Sequence, residues 1–323
     1  MDEQFFLRAP VGADAAAIAD LANAETQHVI GEEKFSTEMI RAELNSPLLN
    51  LQHDWRVVVG ADNLPLASGH CWCPPPFTET NLVLRVHPEY EFVRDVLLEW
   101  GEEWAIVRFS QMDDVPAMRC AVMVYSSDDE QRAFLAERGY EHYRTYWRMH
   151  IDFAATIEAP ILPAGISIIP FAERPDFRAL HKKIDEIFAD DPAYQSPEDI
   201  EDVIDEWQYD AETNPLVDTG CWFLTVNEAD DVIGFVITAT GLDDDPTTAF
   251  IDTIAIDEAQ RGQGIGRALL QYTLKTMQQL GRTGLVLDVD GTNEDAIRLY
   301  QSQGMLVQYQ QEKWVKALDI TLP

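Results

Sequence analysis

The sequence runs through one order of elements twice. "WRVVVGADNLPLASGHCWC", from Trp55, and "CWFLTVNEADDVIGFVITA", from Cys221, each read as a strand, a turn with Asp and Asn, and a second strand. "TNLVLRVHPEYEFVRDVLLEWGEEWA", from Thr80, and "AFIDTIAIDEAQRGQGIGRALLQYTLK", from Ala249, each give an apolar strand, a connector and an amphipathic helix. Each of those helices holds a Leu-Leu pair, Leu97-Leu98 or Leu269-Leu270. "SSDDEQRAFLAERGYE" and "GTNEDAIRLYQSQGML", from Ser126 and Gly291, are polar turns leading into helices that end at Gly139 and Gly304. The openings match too: "FLRAPVGADAAAIADLANAE" and "ISIIPFAERPDFRALHKKIDEIF" are strand, loop, helix. Self-similarity with a period of about 160 residues restricts the chain to a tandem duplication of one α/β fold. The Pro- and Ala-rich "FAATIEAPILPAG", from Phe153 to Gly165, is the expected linker. Domains are therefore expected over residues 1–155 and 156–323, each a mixed central sheet flanked by helices.

Composition removes several classes of function. The formal net charge is −34, so the basic footprint needed to grip nucleic acid is missing and no nucleic-acid partner is expected. No apolar run reaches the roughly 18 residues of a membrane span. The start, "MDEQFFLRAP", lacks a signal-peptide core, so neither a membrane association nor export is expected, and the location expected is cytoplasmic. Cys71, Cys73, Cys120 and Cys221 form no C-x-x-C pair and no His cluster completes a metal site, so reduced packing cysteines and no metal are expected.

The chemistry concentrates in "IDEAQRGQGIGRALL", from Ile256. A strand from about Ala249 to Ile256 hands over to a helix beginning near Gly264 and ending at Gly281. The first amides of a helix have no internal partner and carry about half a positive charge. Gly262, Gly264 and Gly266 remove the side chains that would hold a ligand off, and Arg261 and Arg267 add charge. The loop Arg261, Gly262, Gln263, Gly264, Ile265, Gly266, Arg267 thus reads as a backbone anion pocket. No Lys-Ser/Thr follows, which excludes a P-loop, and the G-x-G-x-G spacing late in the domain does not fit a dinucleotide fingerprint.

The spacing R-x-x-G-x-G (Arg261, Gly264, Gly266) resembles the signature of the GNAT acetyltransferase superfamily. The surroundings extend the likeness. "GLVLDVD" supplies the strand after the helix, and in "NEDAIRLYQSQGM" Asn293, Ala296, Tyr300 and Gly304 fall in the family's register. The resemblance covers about Ile166 to Leu318, and Glu258 stands where the family commonly has Pro. It implies two tandem GNAT (acyl-CoA N-acyltransferase) domains and direct transfer of an acetyl group from acetyl-CoA to a primary amine of a small molecule. It further implies pantetheine pairing along Ile254, Ala255 and Ile256, the pyrophosphate in the loop, and Asn293 and Ala296 beside the coenzyme. A lysine-like amine, pKa about 10.4, is neutral in only about one molecule in 2,500 at pH 7, so a general base is needed. Asp252 is the expected base, with Asp190, Asp191 and Glu198 as runners-up, and Tyr300 is the expected acid for the leaving thiolate. Alternatives are a non-catalytic acyl-CoA-binding or regulatory module, an enzyme using longer acyl chains, and an acetyltransferase of protein N-termini or lysines.

The first copy departs from the pattern. With the Leu-Leu pairs aligned, its connector "HPEYEFVRD" is two residues shorter. Phe92 and Arg94 replace the second and third glycines, Glu89 and Glu91 bring negative charge, Asp128 stands at the Asn293 position and Leu135 at the Tyr300 position. The first domain is therefore expected to be folded and non-catalytic. Fusion of two copies implies a monomer with intramolecular domain pairing.

Overall fold

The computed structural model describes residues 5–46, 49–73, 79–110, 118–154, 157–191, 194, 196, 200–242 and 244–319. The chain forms two compact units: Met1–Tyr146 together with Tyr309–Pro323, and Trp147–Gln308.

In the first unit the order is β1 (Phe6–Arg8), α1 (Ala15–Ile30), α2 (Thr37–Leu44), α3 (Leu51–Asp54), β2 (Trp55–Val59), β3 (Pro65–Trp72), β4 (Glu79–Val86), α4 (Arg94–Phe109), β5 (Arg119–Tyr125) and α5 (Asp129–Glu137), ending in the first half of β6 (Glu141–Asp152). The second unit takes the rest of β6. It continues with β7 (Ser167–Pro170), α6 (Phe177–Phe188), α7 (Ile200–Thr213), β8 (Phe223–Val226), β9 (Val232–Ala239), β10 (Thr248–Ile256), α8 (Ile265–Gln279), β11 (Gly284–Asp290), α9 (Glu294–Ser302) and the start of β12 (Leu306–Ala317). The two element orders agree, as the repeat requires.

Pairing is the same in both units. β1-β2-β3-β4 and β7-β8-β9-β10 are antiparallel runs. Each run then gains one parallel neighbour, β5 or β11. Register shifts at Val58/Val59 and Thr225/Val226 occupy matching places in the two copies. Each sheet buries both faces. In the second unit Leu269, Leu270, Met277, Leu285 and Ile251 form one buried cluster under α8 and α9, and Phe171, Leu180, Trp222 and Phe235 another under α6 and α7.

The C-terminal segment departs from the expected 156–323 division. After Gly304 one twelve-residue strand forms, and its residues Gln311 to Ala317 pair antiparallel with β5 of the first unit. The physical reason is β5's otherwise open edge, whose backbone groups need partners. α7 is described from Ile200; residues 197–199, including Glu198, one of the runner-up bases, lie outside the described residues.

Gly234 shows how tightly β9 is held against β10. It pairs with Ile256, and a Cβ there would meet Ile256 Cδ1 and come within 2.7 Å of the Ala255 carbonyl oxygen. A backbone carbonyl cannot step aside as a side-chain end can. Gly234→Ala is expected to cost about 1–3 kcal/mol of stability, read as a lower urea midpoint; an unchanged midpoint would show that β10 yields freely.

Candidate active site

The site starts from a parting of strands. β10 pairs with β11 only over Thr248 to Ile251 against Gly284 to Leu287. β10 then continues to Ile256 with β9 as its partner. Its other edge, from Asp252 on, therefore has backbone groups that β11 does not satisfy. Asp252 sits where the register shifts between Ile251 and Thr253, a bulge at the start of the gap. β4, its counterpart in the first unit, has no such shift against β3. The sequence did not signal the bulge; it places Asp252 on the surface, where its carboxylate accepts a 2.8 Å hydrogen bond from the Thr253 hydroxyl.

At the far end of β10 the chain makes a 3₁₀ turn, Glu258–Gln260, and enters α8 with Gly264 as N-cap. Gly262 (φ 75°) and Gly264 (φ 82°) are left-handed, a conformation that costs other residues about 1–2 kcal/mol. A Cβ at either would meet open space, so backbone conformation rather than crowding requires glycine there. The first bond of the helix is Ala268 N–H to Gly264 O at 3.0 Å. Among the described residues, the amides of Ile265, Gly266 and Arg267 that precede it have no acceptor.

The two arginines behave differently from each other. Arg261 turns back, its Nε–H donating to the Ile256 carbonyl at 3.1 Å, so it closes the end of the strand as well as adding charge. Arg267 is exposed. Neither is ion-paired among the described residues, in a chain with 57 acidic and 23 basic residues. Neither guanidinium is neutralised by a carboxylate there, although Glu258 stands in the turn just before the cradle. Behind it, Lys183 of α6 reaches Asp257 at 3.4 Å and Glu186 at 2.9 Å, a link from helix to loop that sequence spacing does not signal. Lys183 also lines a cavity of about 610 Å³ between α6 and the β8–β9 turn, which contains none of the cradle residues.

α9 brings the remaining residues. Asn293 caps it, its Oδ1 accepting from Ala296 N–H at 3.1 Å, which leaves the amide nitrogen for another partner. Ala296 packs against the α8 and α9 core. Tyr300 belongs to the same buried cluster as Ile256 and Val289, residues of β10 and β11 beyond their last pair. It is 6% exposed, and its hydroxyl has no hydrogen-bond partner among the described residues. Burial alone pushes the phenol up to about 12. Tyr300 and the cradle thus share one side of the sheet, with Ile254 and Ile256; Ala255 packs on the α6 and α7 side. Asp252 joins neither core cluster. Of the runner-up bases, Asp190 and Asp191 lie just past the end of α6 in the second unit.

In the first unit Arg94 opens α4 where the second unit has Gly266, and it is buried against the Phe134 ring at 5.3 Å. Phe92 is exposed and stacks with Phe5. Asp128 caps α5 as Asn293 caps α9, and Leu135 is fully buried where Tyr300 would stand.

The strand gap, the glycine cradle at the start of α8 and the capped helix carrying Tyr300 sit in a GNAT fold. Residues 181–305 match the model of the Acetyltransferase (GNAT) family, and the chain has that fold in tandem. A GCN5-related N-acetyltransferase from Sphaerobacter thermophilus superposes with a TM-score of 0.83 at 25% identity, over 97% of this chain and 96% of that one. A tandem GNAT protein from the clavulanic acid biosynthesis pathway shares the fold at a TM-score of 0.70 and 13% identity, over 98% and 99% of the two chains. In sequence, the Mycothiol acetyltransferase of Thermobispora bispora is 30% identical over 51% of this chain and 55% of its own length. That of Salinispora arenicola is 24% identical over 76% of each. This chain spans about half the length of the first relatives it matches, 55% and 57% of two. No described helix is long and apolar enough to cross a membrane, and no described group of His, Cys, Asp and Glu forms a metal site.

The Tyr300 environment has a pH consequence. The folded state holds the proton more tightly than the unfolded one, so this stabilisation is complete below about pH 10 and is lost as pH rises towards about 12. Absorbance titration of phenolate should show one tyrosine near 12 that disappears in Tyr300→Phe; a missing group that titrates near 10 instead would contradict the buried placement.

Proposed function

We propose that this chain is an acetyl-CoA-dependent N-acetyltransferase whose second unit is catalytic and whose acceptor is a primary amine of a small molecule. The observation that carries the reading is the alignment of three free sets of groups in one unit: the unpaired edge of β10, the open amides of α8 and the unbonded Tyr300 hydroxyl. The residues fit the coenzyme. The amides of Ile265, Gly266 and Arg267, with the Arg267 guanidinium, suit a diphosphate. The Ile254–Ile256 edge and the Asn293 amide suit the amides of a pantetheine arm. Bound there, acetyl-CoA supplies an activated acyl thioester.

The chain's own residues then manage protons. Asp252, exposed at the bulge, accepts one from the incoming ammonium, directly or through water. Removing a proton from a lysine-like amine at pH 7 costs roughly 4.6 kcal/mol, which sets the scale of the help required. Tyr300 holds its proton at Oη. With the phenol at about 12 and a thiol near 8.5, full transfer to the sulfur is uphill by about 5 kcal/mol. Tyr300 therefore acts first as a hydrogen-bond donor to charge developing on the sulfur, and gives up its proton only as the amine's proton arrives to replace it.

The small-molecule acceptor is supported by the Mycothiol acetyltransferase relatives. The non-catalytic reading is disfavoured by Tyr300, since a binding module has no need of an unbonded phenol. In the first unit, Arg94 and Leu135 replace the third glycine and the Tyr, which leaves one coenzyme site per chain.

Two measurements test this. Thiol release from acetyl-CoA with a panel of small primary amines should be catalysed, and Tyr300→Phe should lower kcat by about 10²-fold with the acetyl-CoA KM within about twofold. An unaltered kcat removes Tyr300 from the chemistry. Titration calorimetry with CoA should give one site per chain, lost in Gly264→Asp; two sites, or one that survives this change, would move the coenzyme elsewhere.

A further inference from the structure

The fork between β10 and β11 has two faces. Tyr300 lies on the α8 and α9 side. On the other side an ion pair stands at the root of the fork. Asp252 and Asp288 are the residues that follow the last β10–β11 pair, Ile251 with Leu287. Leu287 and Val289 belong to the buried cluster under α8 and α9, so Asp288, between them, points the other way. Met149 of β6 belongs to that cluster too, which turns its neighbour Arg148 to the same outer face as Asp288. There the Arg148 guanidinium grips the Asp288 carboxylate with two prongs, Nε to Oδ1 at 2.6 Å and Nη2 to Oδ2 at 2.7 Å. The same guanidinium lies 5.4 Å from the centre of the Phe250 ring, two residues before Asp252 on β10. Arg148 thus touches both strands just before they part, and fixes Asp288 on the β11 side of the mouth.

We propose that Asp288, positioned by Arg148, selects the acceptor: a primary amine with a hydroxyl on the third carbon from its nitrogen. The inference rests on the acetyl transfer proposed above and names the acceptor class for that site. Asp252 takes the ammonium end, as that mechanism requires. Neighbouring strands lie about 5 Å apart, so a group about that far from the nitrogen meets Asp288 across the fork.

The ion pair decides what that second group is. A carboxylate offers about four lone-pair sites and a two-pronged guanidinium takes two, so Asp288 still accepts hydrogen bonds. The Asp288 side chain is 39% exposed and that of Arg148 20%, which leaves the carboxylate the more accessible partner. Its charge is already matched by Arg148, and a second cation brought to it meets the guanidinium at close range. A neutral hydroxyl gains the hydrogen bond without that repulsion, so the pair favours an amino alcohol and disfavours a diamine. Asp288 is then a specificity residue and Arg148 a positioning residue that acts through it. A pair that only tied strands together would be indifferent to the second group on the acceptor.

Three amines of one carbon skeleton test this on the whole chain: 3-amino-1-propanol, 1,3-diaminopropane and propylamine. With saturating acetyl-CoA, 3-amino-1-propanol should have a KM about tenfold below the other two. Asp288→Ala should raise that KM to the propylamine value, with the loss in KM rather than in kcat. Arg148→Gln leaves the carboxylate charge unmatched and should move 1,3-diaminopropane to the lowest KM, an inversion that loosened strands would not produce. Calorimetry of the same amines with CoA present should give the same order without turnover. Equal constants for the three amines, no saturable amine binding, or an advantage that survives Asp288→Ala overturns the proposal; an order unchanged in Arg148→Gln overturns the part assigned to Arg148. Binding in the expected order without thiol release overturns acetyl transfer alone, whereas thiol release with equal constants overturns only the acceptor assigned here.

Discussion

Everything at the site depends on two parallel strands that pair for four residues and then separate. Buried strand edges normally find partners, because an unpaired backbone group away from water is costly. β10 keeps its pairing with β9 up to Ile256 and gives up β11 after Ile251. The bulge at Asp252 accompanies that change of course. An open edge of this kind is a strand-shaped vacancy in the ladder, and a ligand with its own amides is the natural complement. α8 and α9 then fix what surrounds it, one through its free N-terminal amides and the other through Tyr300.

The two copies treat the same gap in opposite ways. In the second, glycine conformations at 262 and 264 accompany amides left bare, and two arginines have no carboxylate partner among the described residues. In the first, a shorter connector starts its helix at a buried Arg94, with Glu89 and Glu91 just before it. One backbone plan thereby carries two different sets of groups: glycines flanked by Arg261 and Arg267 in the second copy, and Glu89, Glu91 and Arg94 in the first. This local contrast is more informative than the net charge of −34, which spreads over the whole chain. Electrostatics at a site follows the few groups within several ångströms, since solvent screens the rest.

Much of this was legible from residue order alone. The duplication was readable because the same element order recurs, and the glycine turn into α8 and the Asn293 cap of α9 were readable because each rests on local spacing. The bulge at Asp252 was not, since a bulge is a relation between two strands. The turning back of Arg261 to the Ile256 carbonyl was missed for a related reason: an arginine beside a glycine loop reads as charge, and which acceptor it finds depends on the strand behind it. The path of the last strand was also hidden, because a strand's pattern shows which faces it has and not which neighbour it will take.

The sequence by itself determined the fold class, its two-fold repetition, and where backbone amides would be left bare, because turns, caps and glycine conformations are set by neighbours in the chain. Only the tertiary structure decided which strand edges stay open, that Tyr300 is buried with no hydroxyl partner among the described residues, and that β12 pairs with β5. Those outcomes come from competition among distant backbone groups and side chains for a limited set of partners. Residue spacing along one chain does not record who wins it.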